Sequence, residues 1–339
     1  MPYKKPRLLF VSTRSWPQIA PLVRAFDEAG FAVALVHTEH RVMPASRPGI
    51  QFYPAHLAQF RPTLEFAIRD VAPDLVIPTD APAFADLGAL HATGAVAIAA
   101  PIRRALGPVD RLARLSSPLG LQHFARDHDL PVPNAVEIAD PAVLRALLAS
   151  VPLPLVLKGT GAATLLPAEI VRKPEAGLAA YDRLARTSGC AGRWFPKRLV
   201  RRPMPGPIAM QQYIDGIATR HFVAARDGAV LAGVSLEPLA GDGPAEVAKL
   251  IRHAAMADIA ATLVTRLGLS GVIGFDYILE HLTRRAWLVA VKPYASPIAH
   301  LAALGEPGLA AALHRGFAAG PPARLRHSAG TATPLAAIR

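Results

Sequence analysis

Residues 271–297 read GVIGFDYILE, then a short polar segment containing Thr283, Arg284 and Arg285, then AWLVAVKPYASP. Residues 271–279 are apolar and β-rich, and residues 286–291 form a second run of the same kind. Two such runs joined by a short polar loop predict a β-hairpin. Asp276 sits inside the first run. A carboxylate in apolar surroundings is costly unless it is paired or used.

Working back along the chain, LPLVLK at 153–158 predicts a strand that ends in Lys158 and runs into Gly159-Thr160-Gly161-Ala162-Ala163-Thr164. A lysine at a strand end supplies a point charge for phosphate. A loop of small residues lets backbone N–H groups close over phosphate oxygens. This is not a Walker loop, because the lysine precedes the glycines. The plainer alternative is a lysine laying its stem over apolar surface before an ordinary turn. Residues 169–171 predict a returning strand and 174–186 a helix. Residues 187–206 are rich in Gly, Arg and Pro and read as an irregular connection. IAMQQYIDG follows at 208–216, and Arg220 and His221 lie on the strand after it. Residues 222–225 and 230–236 predict a hairpin turned at Asp227-Gly228. Residues 246–267 predict one long amphipathic helix stopped by Gly268.

The N-terminal third alternates differently. LLFVS (8–12), AVALV (32–36) and DLVIP (74–78) are short apolar runs separated by helical spacing at 19–29 and 64–71. That alternation predicts a parallel sheet with helices packed on it, whose ligands bind beyond the carboxyl ends of the strands. Thr13, Arg14, Thr79 and Asp80 fall at those ends, where capping and turn chemistry is the plainer role. No G-x-G-x-x-G is present. His37, Glu39 and His40 form a small cluster that reads as a solvated loop. Residues 108–133 predict helix, break, helix, then the exit Leu130-Pro131-Val132-Pro133, with Pro118 in the first turn of the second helix.

This series of elements resembles the ATP-grasp superfamily over roughly residues 7–318. The resemblance implies an N-terminal Rossmann-like parallel α/β domain (1–105), followed by a two-lobed α+β ATP-grasp domain. That domain comprises a helical linker and N-terminal lobe (106–206) and a C-terminal lobe (207–320). Residues 321–339 are expected to be a disordered basic tail. By resemblance, ATP is the cofactor. Lys158, Gly159 and Gly161 meet its phosphates, Gln211, Gln212, Tyr213 and Ile214 read the base, and Arg220 points a cation at phosphate. Asp276 matches the first metal-ligating acid. The second strand of the family's metal hairpin carries Glu-x-Asn, and here those positions are Ala290 and Lys292. Two further carboxylates, on the adenine amine and on ribose, are replaced by Gln211 and Ala218, and the phosphate lysine of the entry helix by Pro118. Asp276 alone is a poor magnesium site, so magnesium is in question, and Lys292 is expected to pair with Asp276 in place of a cation. Lys158, Arg220, Asp276 and Lys292 are the candidate catalytic residues.

The activity implied is an ATP-dependent carboxylate–amine ligase working through an acylphosphate, with an atypical magnesium site. A second reading is a non-catalytic relative that binds nucleotide or another anion and regulates or scaffolds a partner. A third is an enzyme of the same fold that has lost ATP use. The expected partners are a nucleotide and a small carboxylate substrate, with a homodimer left open.

Composition sets the outer bounds. The 339 residues are 52% hydrophobic and 18% charged, which places the chain among globular proteins. A single cysteine, Cys190, excludes an internal disulfide and fits a bacterial cytoplasmic protein. The net charge of +12 favours anionic partners. The basic residues form no stripe interleaved with aromatics, which argues against nucleic acid. The N-terminal MPYKKPRLLFVST reads as a first strand rather than a leader. The least polar long stretch, 87–102, is interrupted by His91, Thr93 and Pro101 and is too short to span a bilayer.

Overall fold

The computed structural model describes residues 5–14, 19–38, 49–159, 168–188, 208–239, 248–296, 299 and 308–318. The chain begins with β1 (Arg7–Ser12), α1 (Ile19–Glu28), β2 (Ala32–Thr38), β3 (Gln51–Ala55), α2 (Phe60–Val71) and β4 (Leu75–Pro78). The four strands form a parallel sheet in the order β3-β2-β1-β4. Its central strand is covered on both faces, which is why it is written as an unbroken apolar run; Leu8, Leu9, Phe10 and Val11 are fully buried. Strand β3 is an addition to the sequence expectation. QFYPA carries a proline that a central strand would reject, and it sits at the sheet edge, where Pro54 is tolerated. The direction of travel reverses between β1 and β4, so their carboxyl ends form the crevice of this sheet.

The apolar stretch 87–102 is divided between α3 (Ala81–Ala92) and α4 (Val96–Leu106). No described helix is long and apolar enough to cross a membrane. Then come α5 (Val109–Leu115) and α6 (Pro118–Asp127), the latter capped by the Ser117 hydroxyl, which accepts from the Gly120 N–H at 3.0 Å.

A second sheet follows, built from β5 (Ala135–Ile138), β6 (Leu155–Gly159), β7 (Glu169–Val171) and β8 (Ile208–Gln212) in the antiparallel order β5-β8-β6-β7. Helices α7 (Pro141–Ser150) and α8 (Pro174–Ser188) cover one face. Leu144, Leu148, Leu155, Leu157, Leu184 and Ile208 make a core that belongs to this lobe alone.

The third sheet has the order β11-β10-β9-β12-β13, all antiparallel: β9 (Gly216–Arg226), β10 (Ala229–Pro238), β11 (Ala248–Ile251), β12 (Gly271–Glu280) and β13 (Ala286–Lys292). The two expected hairpins are present. The β9–β10 turn places Asp227 and Gly228 at φ 49° and 82°, the left-handed pair that a two-residue hairpin loop demands. The single helix expected over 246–267 is corrected. Residues 248–251 are instead the edge strand β11 on β10, and α9 runs only over Ala254–Leu267 before Gly268 at φ 63°. The buried helical spacing begins at Met256, so the four residues 248–251 gain more by satisfying the open edge of β10 than by extending the helix. The last described helix is α10 (Leu309–Ala318). The loop after Gly159, the connection at 189–207 and the tail lie outside the described residues.

One continuous core joins the parallel sheet to the five-stranded sheet. Their backbones come close enough that glycine is needed on both sides. A Cβ on Gly107 (φ 84°) would meet the Gly268 carbonyl at 2.9 Å, and one on Gly271 (φ 94°) would meet the Ala105 carbonyl at 3.0 Å. The α7–α8 lobe keeps its separate core and meets this joined body where the Lys158 side chain of β6 reaches β13; the space beside that contact is here called the cleft.

Candidate functional site

Asp276 lies on β12 directly opposite Arg220 of β9 and Ala290 of β13. Lys292, two residues beyond Ala290, projects from the same face, because side chains on a strand alternate. The Lys292 Nζ stands 2.6 Å from Asp276 Oδ2, and the Arg220 Nε 3.7 Å from Oδ1. All three side chains are only about a quarter exposed, at 22–26%. The acid inside an apolar strand is therefore answered by two cations of the same sheet.

Lys158 reaches this cluster from the other lobe. It stands opposite Ala209 on β8, on the sheet face turned away from the α7–α8 core. Its Nζ donates to the Val289 carbonyl at 3.1 Å. That acceptor is free for a local reason: Asp276 pairs with Ala290 and Tyr277 with Leu288, so Val289 is the unmatched residue of a bulge. Burial lowers the Lys158 pKa, Asp276 partly offsets this, and the Lys292 charge adds to the lowering. Both lysines and Asp276 are thus within electrostatic reach across the cleft. Gly159 closes β6 behind Lys158; Gly161 lies outside the described residues.

The parallel sheet supplies the third wall. Past β13, the Ala295 N–H donates to the Pro78 carbonyl at 2.8 Å, fastening the hairpin exit to the end of β4. Tyr294 lies between the two sheets. Its hydroxyl pKa is raised by burial first, then by Asp276 and Asp80, against the pull of Arg220 and Arg14. Asp80 caps α3 by accepting from Ala83 N–H at 2.8 Å, and also accepts from the Thr13 N–H at 2.9 Å and hydroxyl at 2.8 Å. Burial raises its pKa, with these hydrogen bonds and Arg14 acting the other way. The capping role expected for Asp80 is present, and the same residue also faces the cleft electrostatically.

Beside Arg220, His221 points to the opposite face. Its Nδ1 is 2.8 Å from the Ser235 hydroxyl, and burial pushes its pKa down to about 4. It is a neutral core group rather than a phosphate cation. Of the cluster at 37–40, His37 packs edge-on against Phe52; Glu39 and His40 lie outside the described residues. Among the described residues, no group of three His, Cys, Asp or Glu could hold a metal.

The linker after β8 leaves the same sheet that carries Lys158. Gln211 is 3% exposed and its Nε2 is buried without a partner. The Gln212 N–H donates to Asn134 O at 2.8 Å, and its Oε1 accepts from Asn134 N at 3.4 Å. The Tyr213 hydroxyl reaches Asp215 at 3.3 Å, and Ile214 is buried. A cavity of about 560 Å³ opens against Val136, Leu153, Pro154, Met210, Gln211 and Tyr213. Ala218 stands opposite Ile278 and offers no polar side chain.

The structure thus gathers Lys158, Arg220, Asp276 and Lys292 into one place, with 211–214 on the neighbouring strand end. Sequence reading missed Tyr294 and the Val289 carbonyl. The YASP exit after β13 was the available signal for the first. The second depends on a bulge that leaves no mark in residue types.

No protein-family model matches the sequence, and no curated protein matches it. Solved structures match by shape. The L-amino acid ligase from Bacillus licheniformis aligns with a TM-score of 0.59 at 14% identity, over 86% of this chain and 68% of that one. Biotin carboxylase from Campylobacter jejuni, in a β-γ-ATP complex, aligns at 0.58 and 14%, over 84% and 65%. An ADP complex of N5-carboxyaminoimidazole ribonucleotide synthetase aligns at 0.61 and 12%, over 91% and 76%. At such identities the likeness establishes the fold: the chain has the ATP-grasp fold, with a parallel α/β domain ahead of it.

Proposed function

We propose that this protein binds ATP in the cleft between β6 and the β12–β13 hairpin and acts as a ligase of the carboxylate–amine type, joining a small carboxylate to an amine. The observation that carries this is the convergence of Lys158, Lys292 and Arg220 from two lobes around Asp276. Phosphoryl transfer to a carboxylate is a problem of positioning and of neutralising charge on the transferring group. Fixed ammonium and guanidinium groups in a half-buried cleft supply that neutralisation more strongly than they would in water. The nucleotide complexes and the amino acid ligase among the structural neighbours support the same reading. The expected boundary between 206 and 207 cuts the middle sheet, because β8 (Ile208–Gln212) pairs with β5 and β6; that lobe runs on to the end of β8.

Magnesium does not fit the residues present. It needs oxygen ligands in near-octahedral geometry. Ala290 offers none, and the Lys292 ammonium stands 2.6 Å from the Asp276 oxygen that a metal would use. No step is therefore assigned to a metal held by this hairpin.

The same ion pair favours a second reading, a non-catalytic relative that holds a nucleotide or another anion and regulates a partner. Isothermal calorimetry with ATP, in magnesium and in EDTA, tests both. Binding that survives EDTA supports the protein-cation site. ADP release on adding amino acids then supports the ligase, and binding without turnover supports the second reading. Failure to bind ATP in either buffer overturns the ligase and the nucleotide form of the second reading, leaving only another anion.

A further inference from the structure

We infer that the base pocket accepts purines carrying either an amino or an oxo group at C6, because Gln211 presents a donor or an acceptor with equal ease. This rests on the reading that residues 211–214 line the nucleotide site. Gln211 stands opposite Ala135 and Val156 in the sheet and, two residues from Ala209, shares the face from which Lys158 projects. It is 97% buried, since only 3% is exposed, yet its Nε2 has no partner. The nearby Gln122 does not supply one; its Oε1 accepts from the Ala135 N–H at 2.8 Å. Among the described residues, the backbone N–H groups of Tyr213 and Ile214 also donate to no other group. A buried amide without a partner, next to open backbone donors, is an incomplete hydrogen-bond set that a ligand edge can complete.

The chemistry separates glutamine from a carboxylate at this position. An ionised carboxylate only accepts, so it recognises the N–H of a 6-amino group and rejects a 6-oxo group. A primary amide carries an acceptor oxygen and a donor nitrogen. Half a turn about its terminal torsion exchanges them, and that torsion is broad and nearly two-fold. Here no hydrogen bond among the described residues holds the amide in one orientation. The turn therefore breaks nothing. With a 6-amino purine the oxygen faces the base; with a 6-oxo purine the nitrogen does.

The test is isothermal calorimetry with ATP and with ITP, which differ in the group at C6 and in the hydrogen that the 6-oxo purine carries on N1, without the extra amino group of guanine. In the unaltered protein the two dissociation constants are expected to lie within about tenfold, and Gln211→Glu is expected to open a gap of more than about tenfold in favour of ATP. A gap above tenfold in the unaltered protein, or a Gln211→Glu variant that leaves the ratio unchanged, overturns the inference and leaves nucleotide binding intact. Failure of both nucleotides to bind overturns the nucleotide reading itself. Should Gln211→Glu prove unfolded by circular dichroism, Gln211→Met serves instead. It is expected to weaken both nucleotides alike by about tenfold, and unchanged affinities would remove Gln211 from the base site.

Discussion

Asp80 and Asp276 are the same residue type in similar apolar settings, at the end of β4 and within β12, and the fold answers them differently. Asp80 is 5% exposed and is held by two backbone N–H groups and a threonine hydroxyl. Its partners are fixed parts of the frame and cannot leave without unwinding the first turn of α3. Asp276 is 22% exposed and is held by the movable side chains of Lys292 and Arg220. Both can release a carboxylate and take up a phosphate without moving a strand. One acid is built into the scaffold; the other, on the proposed function, holds the place that an anion would take.

The strongest way to break this comparison is Asp80→Ala. It strips α3 of its cap and leaves the Thr13 N–H and hydroxyl buried without an acceptor. The expected loss is about 3–4 kcal/mol of folding stability, read by urea unfolding. A loss below about 1 kcal/mol would put Asp80 in the same class as Asp276.

His221 sharpens the comparison from the other face of β9. It is neutral and fixed by Ser235, and its pKa falls from the usual 6.5 to about 4. The unfolded chain therefore binds this proton more readily than the fold does between those values. Stability contributed by the neutral ring is complete above pH 6.5, declines as pH falls toward 4, and levels off below. The expected decline from this group is about 3 kcal/mol. His221→Gln should flatten that part of the stability–pH curve, and an unchanged slope would show that other groups cause it.

Next in size is the double replacement Ala290→Glu with Lys292→Asn. It removes the ammonium and adds the missing oxygens on the face shared with Asp276. ATP affinity in magnesium should then exceed that in EDTA by about tenfold or more, a difference of about 1.4 kcal/mol. If the variant ignores magnesium, Asp276 and residues 290 and 292 do not share the geometry that a metal needs.

The contrast between the acids also tracks what the sequence made readable. The hairpin around Asp276 was legible because alternation and turn chemistry are local, and the Asp276–Lys292 pairing followed from it. Strand β3 was not, because Pro54 and a half-exposed pattern dilute the apolar signal. Strand β11 was not, because Lys249 and Leu250 fit a helical repeat until the edge of β10 competes for their backbone. The contacts that close the cleft were hidden for another reason. Lys158 and Val289 are 131 residues apart, and the bulge that frees the carbonyl is a property of register. Tyr294 gains its place from the bond between Ala295 and Pro78, which joins two sheets.

The smallest expected effect is the most discriminating. Asp276→Asn keeps the size of the side chain and removes its charge. If Asp276 were a structural acid like Asp80, the change would destabilise the fold by several kcal/mol, because Lys292 and Arg220 would be left buried and unanswered. Both cations are about three-quarters buried but retain a path to water, so the expected loss is below about 1 kcal/mol. The charge balance of the cleft changes instead. With the carboxylate gone, Lys292 and Arg220 are no longer competed for; Lys158 loses the one charge that raises its pKa, which opposes that gain in part. Metal-free ATP binding should tighten by about threefold to tenfold, measured by calorimetry in EDTA beside a thermal melt. Weaker binding would mean that the carboxylate orients Lys292 toward the anion rather than occupying its place.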